Sequence, residues 1–177
     1  MLPLSWLGMM VVHEFGHVVG AWGTGGTVSK VVLHPLTISR TALSYNPAPL
    51  TVVWSGPVLG VLIPLSAWLI AQQLKWSGAF LLRFFAGFCL IANGAYIAFG
   101  SVDNIGDAGD LLVHGASRWQ LWIFGAITAP VGLLLWHQLG PHFGIGTAKK
   151  NVTPGAAYGS LILMVLLVGL EIAFGGD

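Results

Sequence analysis

The sequence predicts an all-α polytopic membrane protein with about five transmembrane helices and a short β-hairpin after the first. Three observations carry that reading. Charged residues make up 7% of the 177 and hydrophobic ones 55%, where a soluble domain carries about 25% charged; the mean hydropathy is +0.82. Five apolar runs, at 2–22, 50–72, 79–100, 118–136 and 156–174, each approach the roughly 20 residues that cross a bilayer. The first of them contains His13-Glu14-Phe15-Gly16-His17, a metal-binding pattern set inside an apolar helix.

The same composition excludes other classes. A net charge of +1 without a basic tract gives no case for a nucleic-acid partner. One cysteine, Cys89, rules out an intramolecular disulfide and a Cys-rich zinc site; in its apolar run it reads as a small core residue. The N-terminus is not a signal peptide by pattern. It lacks a basic leading segment, and cleavage would discard the HEFGH residues.

In the first run, residues four apart share a helix face, so His13 and His17 can reach one ion. Glu14 follows the first His and can move protons of the water that the ion activates. With six His and two Glu in the chain, the pattern arises by chance with odds of about 0.002. The plain alternative is a pair of buried His bonded to neighbouring helices. It leaves Glu14 unexplained, since a charge near the centre of a membrane helix costs on the order of 3 kcal/mol or more.

Gly23-Thr24-Gly25-Gly26 ends that helix. Residues 27–46 follow, rich in Val, Thr and Ile around Pro35, and predict two short strands at the membrane surface. Lys30 and Arg40 keep them out of hydrocarbon. They read as a connecting hairpin or, more sharply, as an edge strand that pairs with an extended peptide.

The second apolar run carries Trp54-Ser55-Gly56-Pro57 near its start, where Gly permits close helix approach and Pro a kink. The third carries Asn93, either a packing hydrogen bond across helices or support for the site. Three aspartates follow it, Asp103, Asp107 and Asp110. They read as a solvated, helix-capping loop or as the source of the carboxylate that catalytic zinc often takes beside two His. Chain parity favours the second. If the first helix runs from side A to side B, HEFGH, Gly56-Pro57, Asn93 and the aspartates all gather toward side B.

The fourth and fifth runs show no chemistry except Glu171, which either faces the bundle or reaches the surface. His34, His114, His137 and His142 fall at membrane edges and read as solvated. Lys75, Arg83, Lys149 and Lys150 on one side oppose Lys30, Arg40 and Arg118 on the other, which sets no orientation.

Together these residues resemble the site-2 protease family of intramembrane zinc metalloproteases. The matching features are His13 to His17, the Gly56-Pro57 pair, Asn93, and Asp107-Ala108-Gly109-Asp110-Leu111-Leu112. The chain departs from the family pattern at Tyr96, where Pro is usual, at Ala108, where Gly is usual, and in a longer gap between Asn93 and Asp107. The resemblance implies a three-helix metalloprotease core over residues 1–115, with two additional transmembrane helices in 116–177. It implies Zn2+ held by His13, His17 and Asp107, with Asp110 or Asp103 as alternatives for the third ligand. It also implies Glu14 as general base, and a membrane-anchored protein or peptide as substrate in a multi-pass protein of the lipid bilayer, such as the cell membrane. Two other readings stand beside it: a catalytically silent zinc-binding scaffold, and a metal-ion transporter, in which Glu14 would itself be a ligand.

Overall fold

The computed structural model describes residues 1–35, 39–145 and 153–174; Lys149 and Lys150 lie outside them. Six α-helices and one two-stranded sheet make up the described chain. Helix α1 spans Leu2–Gly23, with Pro3 in its first turn, where a missing N–H costs nothing. It stops where the Thr24 hydroxyl donates back to the Gly20 carbonyl at 2.9 Å and Gly25 turns the chain at φ +78°. Strands β1 (Thr27–Val32) and β2 (Arg40–Tyr45) pair antiparallel, with Val31 opposite Thr41. The two strands fall within the predicted hairpin 27–46. Helix α2 spans Pro49–Gln73 and α3 spans Ala79–Asp103. They are followed by α4 (Gly106–Val113), α5 (Arg118–Trp136) and α6 (Pro154–Phe174).

Four helices, α2, α3, α5 and α6, are long and apolar enough to cross a membrane. Five were predicted. The difference is α1, which has the length, 22 residues, but not the apolarity. His13, Glu14 and His17 lie mid-helix and lower its hydropathy. They are buried against protein rather than offered to lipid, at 7%, 3% and 7% exposure.

Burying them requires close helix approach, and small residues supply it. A Cβ on Gly16 would sit 2.9 Å from Gly56 Cα, and one on Gly20 would collide with the Ser55 side chain. Helices α1 and α2 therefore meet backbone to backbone. The α3–α5 contact is built the same way, with Gly125 against the Gly94 carbonyl and Gly132 against that of Gly87. Indole hydrogen bonds lock that pair, from Trp136 Nε1 to Phe84 O at 2.9 Å and from Trp122 Nε1 to Ser101 Oγ at 3.0 Å. In lipid, which is as apolar as the side chains, such packing and bonding hold helices together.

The segment after α3 is not a solvated loop. Asn104 ends α3 in the left-handed region at φ 55°, and α4 begins two residues later. Ala108 and Leu111 are fully buried and cluster with Ile97 of α3 and Leu121 of α5. That anchor fixes α4 against α3 and α2. Helix α6 differs from the rest: only 6% of its apolar span is buried, and it packs on α1.

Candidate metal centre

The two His of α1 converge with Asp107 of α4. Their ligand atoms all lie within 4.8 Å of one another. His13 Nε2 and His17 Nε2 are 3.1 Å apart. Asp107 Oδ2 is 2.7 Å from the first and 3.3 Å from the second. Zinc bonds of about 2.0–2.1 Å place the ligand atoms of a tetrahedral site roughly 3.3–3.5 Å apart, so one edge of the triangle already has that length and the other two would open by about 0.2–0.6 Å around an ion.

The other ring nitrogens settle which atoms carry protons. His17 Nδ1 faces the Val52 carbonyl at 2.9 Å, which can only accept, so Nδ1–H donates. His13 Nδ1 faces Asn93 Oδ1 at 2.7 Å. The orientation of Asn93 is fixed because its Nδ2 donates to the Cys89 carbonyl at 2.9 Å, so His13 Nδ1–H also donates. In the neutral imidazoles both Nε2 atoms are then bare lone pairs. Two lone pairs and a carboxylate oxygen meet with no proton among them. Such a group requires positive charge at its centre, from a metal ion or from imidazole protonation. This donor set fits a metal: hydrogen-bonded imidazoles with fixed tautomers are the usual form of a ligating His. Burial pushes the Asp107 carboxyl up; it is a proton on the imidazoles, shared with Asp107 by His13 and His17, that would hold it below the usual carboxylate range. Asp107 Oδ2 faces the same gap.

Glu14 is not a member of the triangle. Its Oε2 accepts a hydrogen bond from the Thr41 hydroxyl of β2 at 2.7 Å, so the hairpin is tied to α1 at this residue. Gly56 is small because the His17 ring occupies the place of its Cβ. Pro57 beside it is fully buried in α2. Gly60 makes room for Asn93, whose Oδ1 would lie 3.0 Å from a Cβ there.

The structure leaves the alternative ligands outside. Asp103 and Asp110 are exposed, and the group comprises His13, His17 and Asp107 alone among the described residues. His114, His137 and His142 are exposed, and His142 stacks on Phe80. Glu171 faces inward: it is 4% exposed, with no hydrogen bond to either carboxylate oxygen among the described residues. Three contributors had no signal in the sequence. Thr41 is one of several Thr in a strand-forming stretch, and Gly60 is one of 25 glycines. Tyr96 marked only a departure from a family pattern, yet its hydroxyl accepts the Asp107 backbone N–H at 3.0 Å. Its ring stands edge-on to His13, with centroids 6.0 Å apart. Compared with known proteins, the chain matches no family model, no curated protein and no solved structure.

Proposed function

We propose that the chain is an intramembrane zinc metalloprotease that hydrolyses peptide bonds in or beside the membrane. One observation carries this reading: three bare ligand atoms converge at a turn of α1 that also buries the Glu14 carboxylate, which is not one of them. A binding site alone has no use for Glu14. A hydrolytic site needs it, because a water must lose a proton and the leaving amine must gain one.

Two imidazoles and one carboxylate suit zinc better than the hard cations, which favour all-oxygen sites. A zinc ion held by His13, His17 and Asp107 would act as a Lewis acid and bring the pKa of a water to about 7. Glu14 would take a proton from the attacking water and pass it to the leaving nitrogen. Thr41 holds one oxygen of Glu14 and so aims the other. Burial of His13, Glu14 and His17 keeps bulk water from competing.

The substrate in this reading is a membrane-anchored protein or peptide with a locally unwound segment, since a helix buries its carbonyls in hydrogen bonds. Strand β2 is paired with β1 on one edge and contacts Glu14 through Thr41. An extended segment laid along β2 would bring its backbone to the site. Transport is less well supported, because an ion path requires ligands at successive depths. Among the described residues there is one such group.

The test is zinc content and cleavage of a membrane-anchored or unfolded substrate, with wild type beside Glu14→Gln in detergent. One zinc per chain in both, with cleavage in wild type only, is the expected result. Zinc in both with cleavage in neither points to a silent scaffold. Loss of zinc in the variant makes Glu14 a ligand and points to transport.

A further inference from the structure

Helix α4 has eight residues and begins without a side-chain cap of its own, because its N-cap residue is Ile105. The first N–H groups of any helix have no partner within the helix, and Ile105 has no side-chain oxygen to offer. Asp107 lies in that first turn. Its N–H is instead accepted by the Tyr96 hydroxyl of α3 at 3.0 Å.

The surroundings are shaped for this contact. Gly106 precedes Asp107 at φ +54°, and a Cβ there would collide with the Tyr96 hydroxyl. Tyr96 lies three residues after Asn93 on α3, so both project from one side of that helix. Asn93 fixes one imidazole nitrogen of His13, and the Tyr96 ring packs edge-on against the same imidazole. Helix α3 thus orients one ligand through a side chain and another through a backbone.

We propose that Tyr96 is the positioning residue of the third metal ligand. By capping α4 from a neighbouring helix, its hydroxyl sets the height and rotation of the first turn, so that Asp107 Oδ2 meets both imidazoles. The assignment rests on the metal-site reading but not on protease activity. Metal affinity, not folding, is what it controls.

Zinc affinity by chelator competition, with the thermal midpoint of the metal-free protein measured alongside, tests this. Tyr96→Phe keeps the ring against His13 and removes only the hydroxyl. Its zinc affinity should fall about 10- to 100-fold, the range for losing a partner that orients a ligand, with the metal-free midpoint unchanged. Gly106→Ala, which displaces the same hydroxyl, should lower affinity as well. The double variant should lose much less than the two losses multiplied, because both act on one contact. Equal zinc affinity in wild type and Tyr96→Phe overturns the assignment. So does, in Tyr96→Phe, a loss accompanied by an equal fall in metal-free stability, or a double variant in which the losses multiply. Absence of zinc from wild type overturns the metal-site reading itself, and this assignment with it.

Discussion

Glu14 on α1 and Glu171 on α6 are the two glutamates of the chain, and both are buried, at 3% and 4% exposure. Their regions are otherwise unlike. Around Glu14, α1 meets α2 at backbone distance, β2 covers the helix, and polar atoms find partners in Thr41, Asn93, Val52 and Tyr96. Around Glu171, α6 is almost unburied elsewhere along its span, and neither carboxylate oxygen has a hydrogen-bond partner among the described residues. Burial of a carboxylate is therefore not what distinguishes a site in this molecule. Convergence of oriented partners is.

Several substitutions would break or sharpen that contrast. The largest effect should come from Asp107→Ala or His17→Ala. Each removes one of three converging atoms, and zinc affinity should fall by more than the roughly 100-fold upper range for losing an orienting partner. Stoichiometric zinc retained at wild-type affinity would show that the triangle is not a metal site. Next, Glu14→Gln should keep zinc and lower the cleavage rate by about 10²–10⁴-fold, the usual contribution of a positioned acid–base group.

A smaller effect belongs to Thr41. Thr41→Val removes a hydrogen bond to a carboxylate worth about 1.5–3 kcal/mol. Cleavage should fall by roughly 10- to 100-fold in kcat, with zinc content unchanged, and Thr41→Ser should restore most of it. An identical loss in the Ser variant would mean that packing, not the hydroxyl, is responsible. The smallest effect is expected at Glu171. Glu171→Leu removes buried oxygens that have no hydrogen-bond partner among the described residues, whose burial costs about 1–3 kcal/mol. It should leave zinc and cleavage unchanged and raise the thermal midpoint. A loss of cleavage there would remove the distinction between the two regions.

Much of the fold was legible because lipid imposes simple rules. Runs of about 20 apolar residues predict helices, and α2, α3, α5 and α6 begin and end within a few residues of the predicted bounds. Helix α1 was legible as a helix but counted as a membrane span on length. Its polar residues reduce its apolarity, and only packing against α2, α3 and the hairpin hides them. Helix α4 was not legible, because eight residues with four glycines or aspartates among the first five resemble a turn. Burial of Ala108 and Leu111 is what makes it helical.

The sequence by itself determined the helix-rich, lipid-compatible character of the chain and the pairing of His13 with His17. Both follow from local periodicity: four residues along a helix return to one face whatever surrounds it. It could not choose among Asp103, Asp107 and Asp110, because all three are near enough in sequence and none carries a periodic signal. In the tertiary structure α4 is anchored through its apolar side, which brings Asp107 to the two His and leaves Asp110 exposed, while Asp103, at the end of α3, is exposed as well. The tertiary structure also decided the contacts of Thr41, Gly60 and Tyr96. Each acts across a distance in sequence that no local pattern records, so only the packing of one helix or strand against another could reveal them.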